Sequence, residues 1–102
     1  MNPKLRDRVL VLVATGYDDT RIVDRGCYID LFVEAPLPNG SLDSQKVTVG
    51  EHPYFPDDAA TLWVTGQSGC VDPEWVAIHA ANLAVAARLC RQLRKLLAAE
   101  AA

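Results

Sequence analysis

The last third of this 102-residue chain constrains its fold more than any other part, because it spells out a long helix with both ends marked. Asp72 is a good N-cap, Pro73 occupies the first helical position and Glu74 complements the positive end of the helix dipole. Arg88, Arg91, Arg94 and Lys95 lie toward the other end, where cations are favoured. Ten alanines follow Trp75, so intrinsic propensity agrees with the caps, and together they predict a helix over 73–99.

On a helical wheel Trp75, Ile78, Val85, Leu89, Leu93 and Leu96 share one stripe, flanked by Leu83, Ala86, Cys90 and Leu97. The opposite side changes character along the helix. Its second half carries Arg88, Arg91 and Lys95, whereas its first half carries only Ala77, Ala80, Ala84 and Ala87. A half-helix that is apolar or small all round asks for cover on a second face.

The rest of the chain reads mainly as strands. Residues 27–34 alternate strictly, with Cys27, Ile29, Leu31 and Val33 pointing one way and Tyr28, Asp30, Phe32 and Glu34 the other. Short strands are expected at 20–23, 45–49 and 61–65, separated by the turns 16–19, 24–26 and 36–41 and by the proline-bearing connection 50–58. Residues 8–14 (Arg-Val-Leu-Val-Leu-Val-Ala) favour a strand covered on both faces. The competitor is a helix that starts at Pro3 after an Asn2 cap and ends at Gly16, with Leu10 and Val11 outside its stripe. The expected fold is a single α+β domain over 1–102: an antiparallel sheet of four or five strands with the C-terminal helix packed across one face.

Composition narrows the classes of function. Half of the residues are apolar and the formal charge is −3, which describes a globular chain and argues against a nucleic-acid binder working by bulk electrostatics. No apolar run approaches the length of a membrane span, and no secretory signal pattern is present, so a cytoplasmic protein without membrane association is expected. Cys27, Cys70 and Cys90 form no metal-ligand spacing and read as reduced, buried small hydrophobes.

Few constellations could carry chemistry. His79 and Asn82 are the polar residues on or beside the apolar stripe. They read as a hydrogen-bonded tether to the sheet or, alternatively, as the polar part of a pocket between helix and sheet that Tyr28 and Trp63 would also line. Cys70 precedes the helix cap, but Asp72 and Glu74 oppose a lowered thiol pKa there. The loop 65–69 matches no phosphate-binding pattern. His52 beside Asp57 and Asp58 fits no metal scheme, so neither a metal nor a cofactor is expected. If Phe32 and Trp63 lie on the sheet face away from the helix, that face is partly apolar, and the 50–60 connection or a partner could cover it.

These features make the leading expectation a non-enzymatic binding or assembly module that forms a homodimer or binds another protein. Its interface candidates are Phe32, Trp63, Ala77, Ala80, Ala84 and Ala87. The alternative is a small ligand-binding domain or small enzyme with its pocket near His79.

Overall fold

The computed structural model describes residues 1–51, 60–66 and 72–101, with the side chains of 1–51, 60–66 and 72–100. Its elements run α1 (Pro3–Gly16), β1 (Arg21–Asp24), β2 (Tyr28–Pro36), β3 (Leu42–Gly50), β4 (Ala60–Trp63) and α2 (Pro73–Ala101). The four strands form one antiparallel sheet in chain order, β1-β2-β3-β4. This is the α+β architecture expected, with one helix more.

The alternation seen in 27–34 is the alternation of the sheet. Ile29, Leu31 and Val33 of β2 meet Val47 and Val49 of β3 and Ala60 of β4 in one buried cluster. The helices cover this inner face. The centre of α2's buried stripe is Asn82, Ala86, Leu89, Cys90 and Leu93, whereas Trp75 and Ile78 lie at its margin and are only half-buried. The C-terminal part of α2 runs toward the start of β4, where Arg94 Nε donates to the Ala60 carbonyl at 3.0 Å. Asp72 caps α2 as expected, its carboxylate accepting the Glu74 N–H at 2.8 Å.

Residues 3–16 form a helix, which corrects the strand favoured for 8–14. The reason is local. Asn2 accepts the Lys4 N–H at 2.9 Å, Pro3 occupies the first turn, and the Tyr17 N–H closes the last turn on the Val13 carbonyl at 2.8 Å. β-branched residues cost a helix only a few tenths of a kcal/mol each, too little to override those end signals. Val9 and Val13 are buried, Leu12 packs against the core, and Val11 stands 61% exposed, so the continuous apolar run reflects an exposed valine rather than a doubly covered strand.

α1 lies antiparallel along the C-terminal half of α2. Tyr17 Oη donates to Gln92 at 2.6 Å and accepts from Arg88 Nε at 3.2 Å, while Arg8 near the other end pairs with Glu100. Arg6 also pairs with Asp24 of β1. α1 therefore stops at Gly16 and, among the described residues, the first half of α2 has no helical neighbour.

A second correction concerns the cysteines. Cys90 is buried in the core, but Cys27 is exposed because β2 begins one residue later, beyond the covered part of the sheet. Cys70 lies outside the described residues.

Candidate functional site

Among the described residues the inner face holds one polar cluster, and it is built around residues of inward parity on β3. The period that points Val47 and Val49 into the core continues back through Gln45 and Asp43, which are 0% and 4% exposed. Asn82 of α2 sits above them. Its Nδ2 lies 2.8 Å from the Val33 carbonyl, 3.1 Å from the Asp43 carbonyl and 2.8 Å from Asp43 Oδ2. Three acceptors around one atom fix the amide orientation, since a carbonyl oxygen there would face only lone pairs.

His79, one turn earlier, places Nδ1 2.8 Å from Asp43 Oδ1. That contact puts the ring proton on Nδ1, so the 3.4 Å approach of Gln45 Nε2 to the same nitrogen contributes little. Gln45 instead pairs with backbone beyond β4. It accepts the Thr65 N–H at 2.8 Å and donates to the Thr65 carbonyl at 3.0 Å, extending the β3–β4 ladder with a side-chain amide. Burial pushes the Asp43 carboxyl up. Hydrogen bonds from Asn82, His79 and Gln45, with attraction to His79, outweigh that and hold it below the ordinary carboxylate range.

The cluster thus ties helix to sheet, and among the described residues no buried side-chain nitrogen or oxygen is left without a partner. The His79–Asp43 contact has the form of an oriented base, but His79 is absent from the walls of the nearest groove.

That groove lies on the other flank of α2, in the place left where α1 ends. It has a volume of about 450 Å³ and runs between the 16–20 turn, the end of β2 and the first half of α2. Val33, Ala35 and Pro36 form one wall and Ile78, Ala81 and Val85 the other. Asn82 also lines it, and Asp18, Asp19 and Glu34 stand among its lining residues.

The outer face of the sheet is different in kind. Register places Arg21, Phe32, Lys46 and Trp63 in a single cross-strand row. Cation and ring alternate along it, with the Arg21 guanidinium 4.2 Å from the Phe32 centroid and the Lys46 ammonium 4.7 Å from that of Trp63. Beside this row Trp63 Nε1 donates to Thr48 Oγ1 at 2.8 Å, and Thr48 donates on to Asp30 at 2.7 Å. Arg25 reaches the same carboxylate at 3.3 Å. A shallow recess of about 500 Å³ opens between Phe32, Leu42, Lys46, Trp63 and Val64, in which Leu42 and Val64 are 55% and 58% exposed.

The four pocket residues read from the sequence are therefore separated. His79 and Asn82 meet on the inner face, while Tyr28 and Trp63 lie on the outer face with the sheet between the pairs. Of the interface candidates, Phe32 and Trp63 share the outer row, and Ala77, Ala80 and Ala84 are exposed with Ala87 half-buried. Asp43 and Gln45 were missed from the sequence; alternation continued back from Val47 and Val49 is the signal that gives them inward positions. His52, Asp57, Asp58 and the loop 67–70 lie outside the described residues. Among the described residues no three His, Cys, Asp or Glu side chains come together as a metal cluster, and no helix is long and apolar enough to cross a membrane.

Comparison of the chain with protein-family models, with curated proteins and with solved structures finds no match.

Proposed function

We propose that the domain is a non-enzymatic binding and assembly module that pairs with a second copy of itself. The observation that carries this reading is the outer sheet face, where Leu42 and Val64 stand exposed around the Phe32–Trp63 recess. Contiguous exposed apolar surface on a small domain marks an interaction site, and aromatic anchors flanked by cations are the side chains that interfaces favour. The exposed alanines of α2, with Val76 at 49% exposure, supply a second apolar surface. The free thiols Cys27 and Cys90 suit a reducing compartment, so the cytoplasm is the setting proposed.

Sedimentation across a range of concentrations tests the reading. The native chain is expected to shift from monomer to dimer as concentration rises. Leu42→Lys combined with Val64→Lys should abolish the shift without lowering the melting temperature, because both side chains are already largely in water. Ala80→Glu asks the same of the helix face. A native chain that is monomeric throughout defeats the proposal.

A second reading, a small-ligand-binding domain, is favoured by one observation: the groove of about 450 Å³ beside Asn82 falls in the size range of small-molecule sites and is mainly apolar.

A further inference from the structure

The groove beside α2 has a polar demand that its own residues do not meet. Asn82 is 5% exposed and spends its Nδ2 hydrogens on Val33 and Asp43, which turns its Oδ1 away from the sheet. No described residue donates to Oδ1. Because every fully enclosed side-chain oxygen among the described residues has a partner, that oxygen is reached from the groove it lines. A nearly buried amide carbonyl at the foot of apolar walls asks for an N–H or O–H donor.

The charge of the rim selects among donors. Asp18 and Asp19 lie on the turn that follows α1, both exposed, with no side-chain partner among the described residues. Glu34 also lines the groove but is engaged by Arg21 at 3.0 Å, so the two aspartates set the sign. Arg88 is engaged by Tyr17, over its ring at 5.4 Å and donating to its hydroxyl at 3.2 Å, and is not among the groove's lining residues. Apolar walls, an acceptor of a nearly buried amide that opens to the groove and an anionic rim together describe the complement of a molecule with an apolar body and a cationic N–H group.

We propose that this groove binds an amphipathic organic cation, with the apolar body between Val33, Ala35, Ile78 and Val85 and the ammonium or guanidinium directed to Asn82 Oδ1 and the Asp18–Asp19 turn. The proposal rests on the ligand-binding reading of this groove and is independent of self-association through the sheet face. A basic side chain of a partner protein has related chemistry, but the volume of about 450 Å³ favours a small molecule.

Amide chemical shifts of the isotopically labelled chain provide the test, with 2-phenylethylamine as probe and 2-phenylethanol as its neutral counterpart of equal shape. Fragments of this size bind at millimolar concentration. The amine should perturb residues 16–20, 33–36 and 78–85 and bind about tenfold more tightly than the alcohol, a preference that weakens as salt is raised. Asp18→Asn with Asp19→Asn should reduce that preference to about twofold or less while leaving the fold intact. Ala81→Phe, which fills the groove from an exposed position, should remove binding of both. Equal binding of amine and alcohol at these residues would overturn the cationic class while leaving the groove a ligand site. Absence of perturbation there by either probe, or perturbation of the native chain and Ala81→Phe alike, would overturn the site itself.

Discussion

Asp43 shows how much of this fold depends on one carboxylate. It is nearly buried, yet stays ionised more readily than an exposed acid because Asn82, His79 and Gln45 all direct polar hydrogens or charge at it. A carboxyl held below its unfolded pKa stabilises the fold above roughly pH 4 and loses that contribution as pH falls through the folded value. Asp43→Asn should therefore be less stable than the native chain by about 2 kcal/mol at pH 5 to 7, the scale of a hydrogen bond to a charged group. The gap should narrow as pH is lowered from about 4 toward 2. Urea titrations at each pH measure both quantities, and a gap that stays constant down to pH 2 would contradict the assignment. Asp24, also held low, first by the Gly26 N–H and then by Arg6, adds to acid sensitivity in both proteins and so leaves the difference intact.

At the level of elements, the hairpins place different demands on their glycines. Gly40 and Gly50 both have positive φ, 87° and 110°, but their surroundings differ. A Cβ on Gly40 would meet nothing within 4 Å, whereas one on Gly50 would come 2.8 Å from the Cys27 carbonyl oxygen and 3.1 Å from Tyr28 Cα. Gly40→Ala should cost about 1–2 kcal/mol, the conformational penalty alone. Gly50→Ala should cost clearly more, because the obstacle is paired backbone that must move. Urea unfolding of the two variants ranks them, and equal losses would mean that the end of the β2–β3 hairpin at Tyr28 and Gly50 yields at little cost.

The same scale shows why some elements were legible in the sequence and others were not. α2 and β2 each carry a signal repeated over many residues: an N-cap and an alanine-rich interior in one, although Arg88 to Lys95 stop short of its last turn, and strict alternation in the other. α1 carried two conflicting signals. Its caps pointed to a helix that leaves Val11 outside the stripe, while Val9 to Val13 gave the apolar continuity of a buried strand, and only the tertiary structure decides between them, with Val11 exposed. The site was half legible for a related reason. The helix pattern singles out His79 and Asn82, but their partners Asp43 and Gln45 come from a strand whose inward parity follows only once Val47 and Val49 are placed. The groove itself depends on where α1 ends against α2, a relation between distant segments that no local pattern encodes.

For the molecule as a whole, the unequal attachment of its parts predicts unequal stability. The sheet and α2 share most of the buried cluster, whereas α1 packs mainly against α2, reaches β1 through the Arg6–Asp24 pair and contributes Val9 and Val13 as its buried residues. Its hold is completed by Tyr17, whose hydroxyl joins Gln92 and Arg88, and by the ion pairs of Arg6 and Arg8, which are exposed enough to be worth little. Segments with few buried contacts open below the global unfolding free energy. Amide exchange should therefore divide the chain, with β2, β3 and residues 86–93 of α2 exchanging through global unfolding and residues 6–16 through a lower-energy opening. Tyr17→Phe removes one hydroxyl with little change of shape, so it should lower the α1 opening energy by about 1 kcal/mol. Protection in β2 and β3 should fall by no more than that amount. Because Tyr17 and the 16–20 turn close the end of the groove beside Asn82, detachment of α1 would open that end, and ligand occupancy should raise the protection of α1 amides. Uniform protection across α1, α2 and the sheet would show instead that the domain unfolds as one unit, and that the groove is as permanent as the core beneath it.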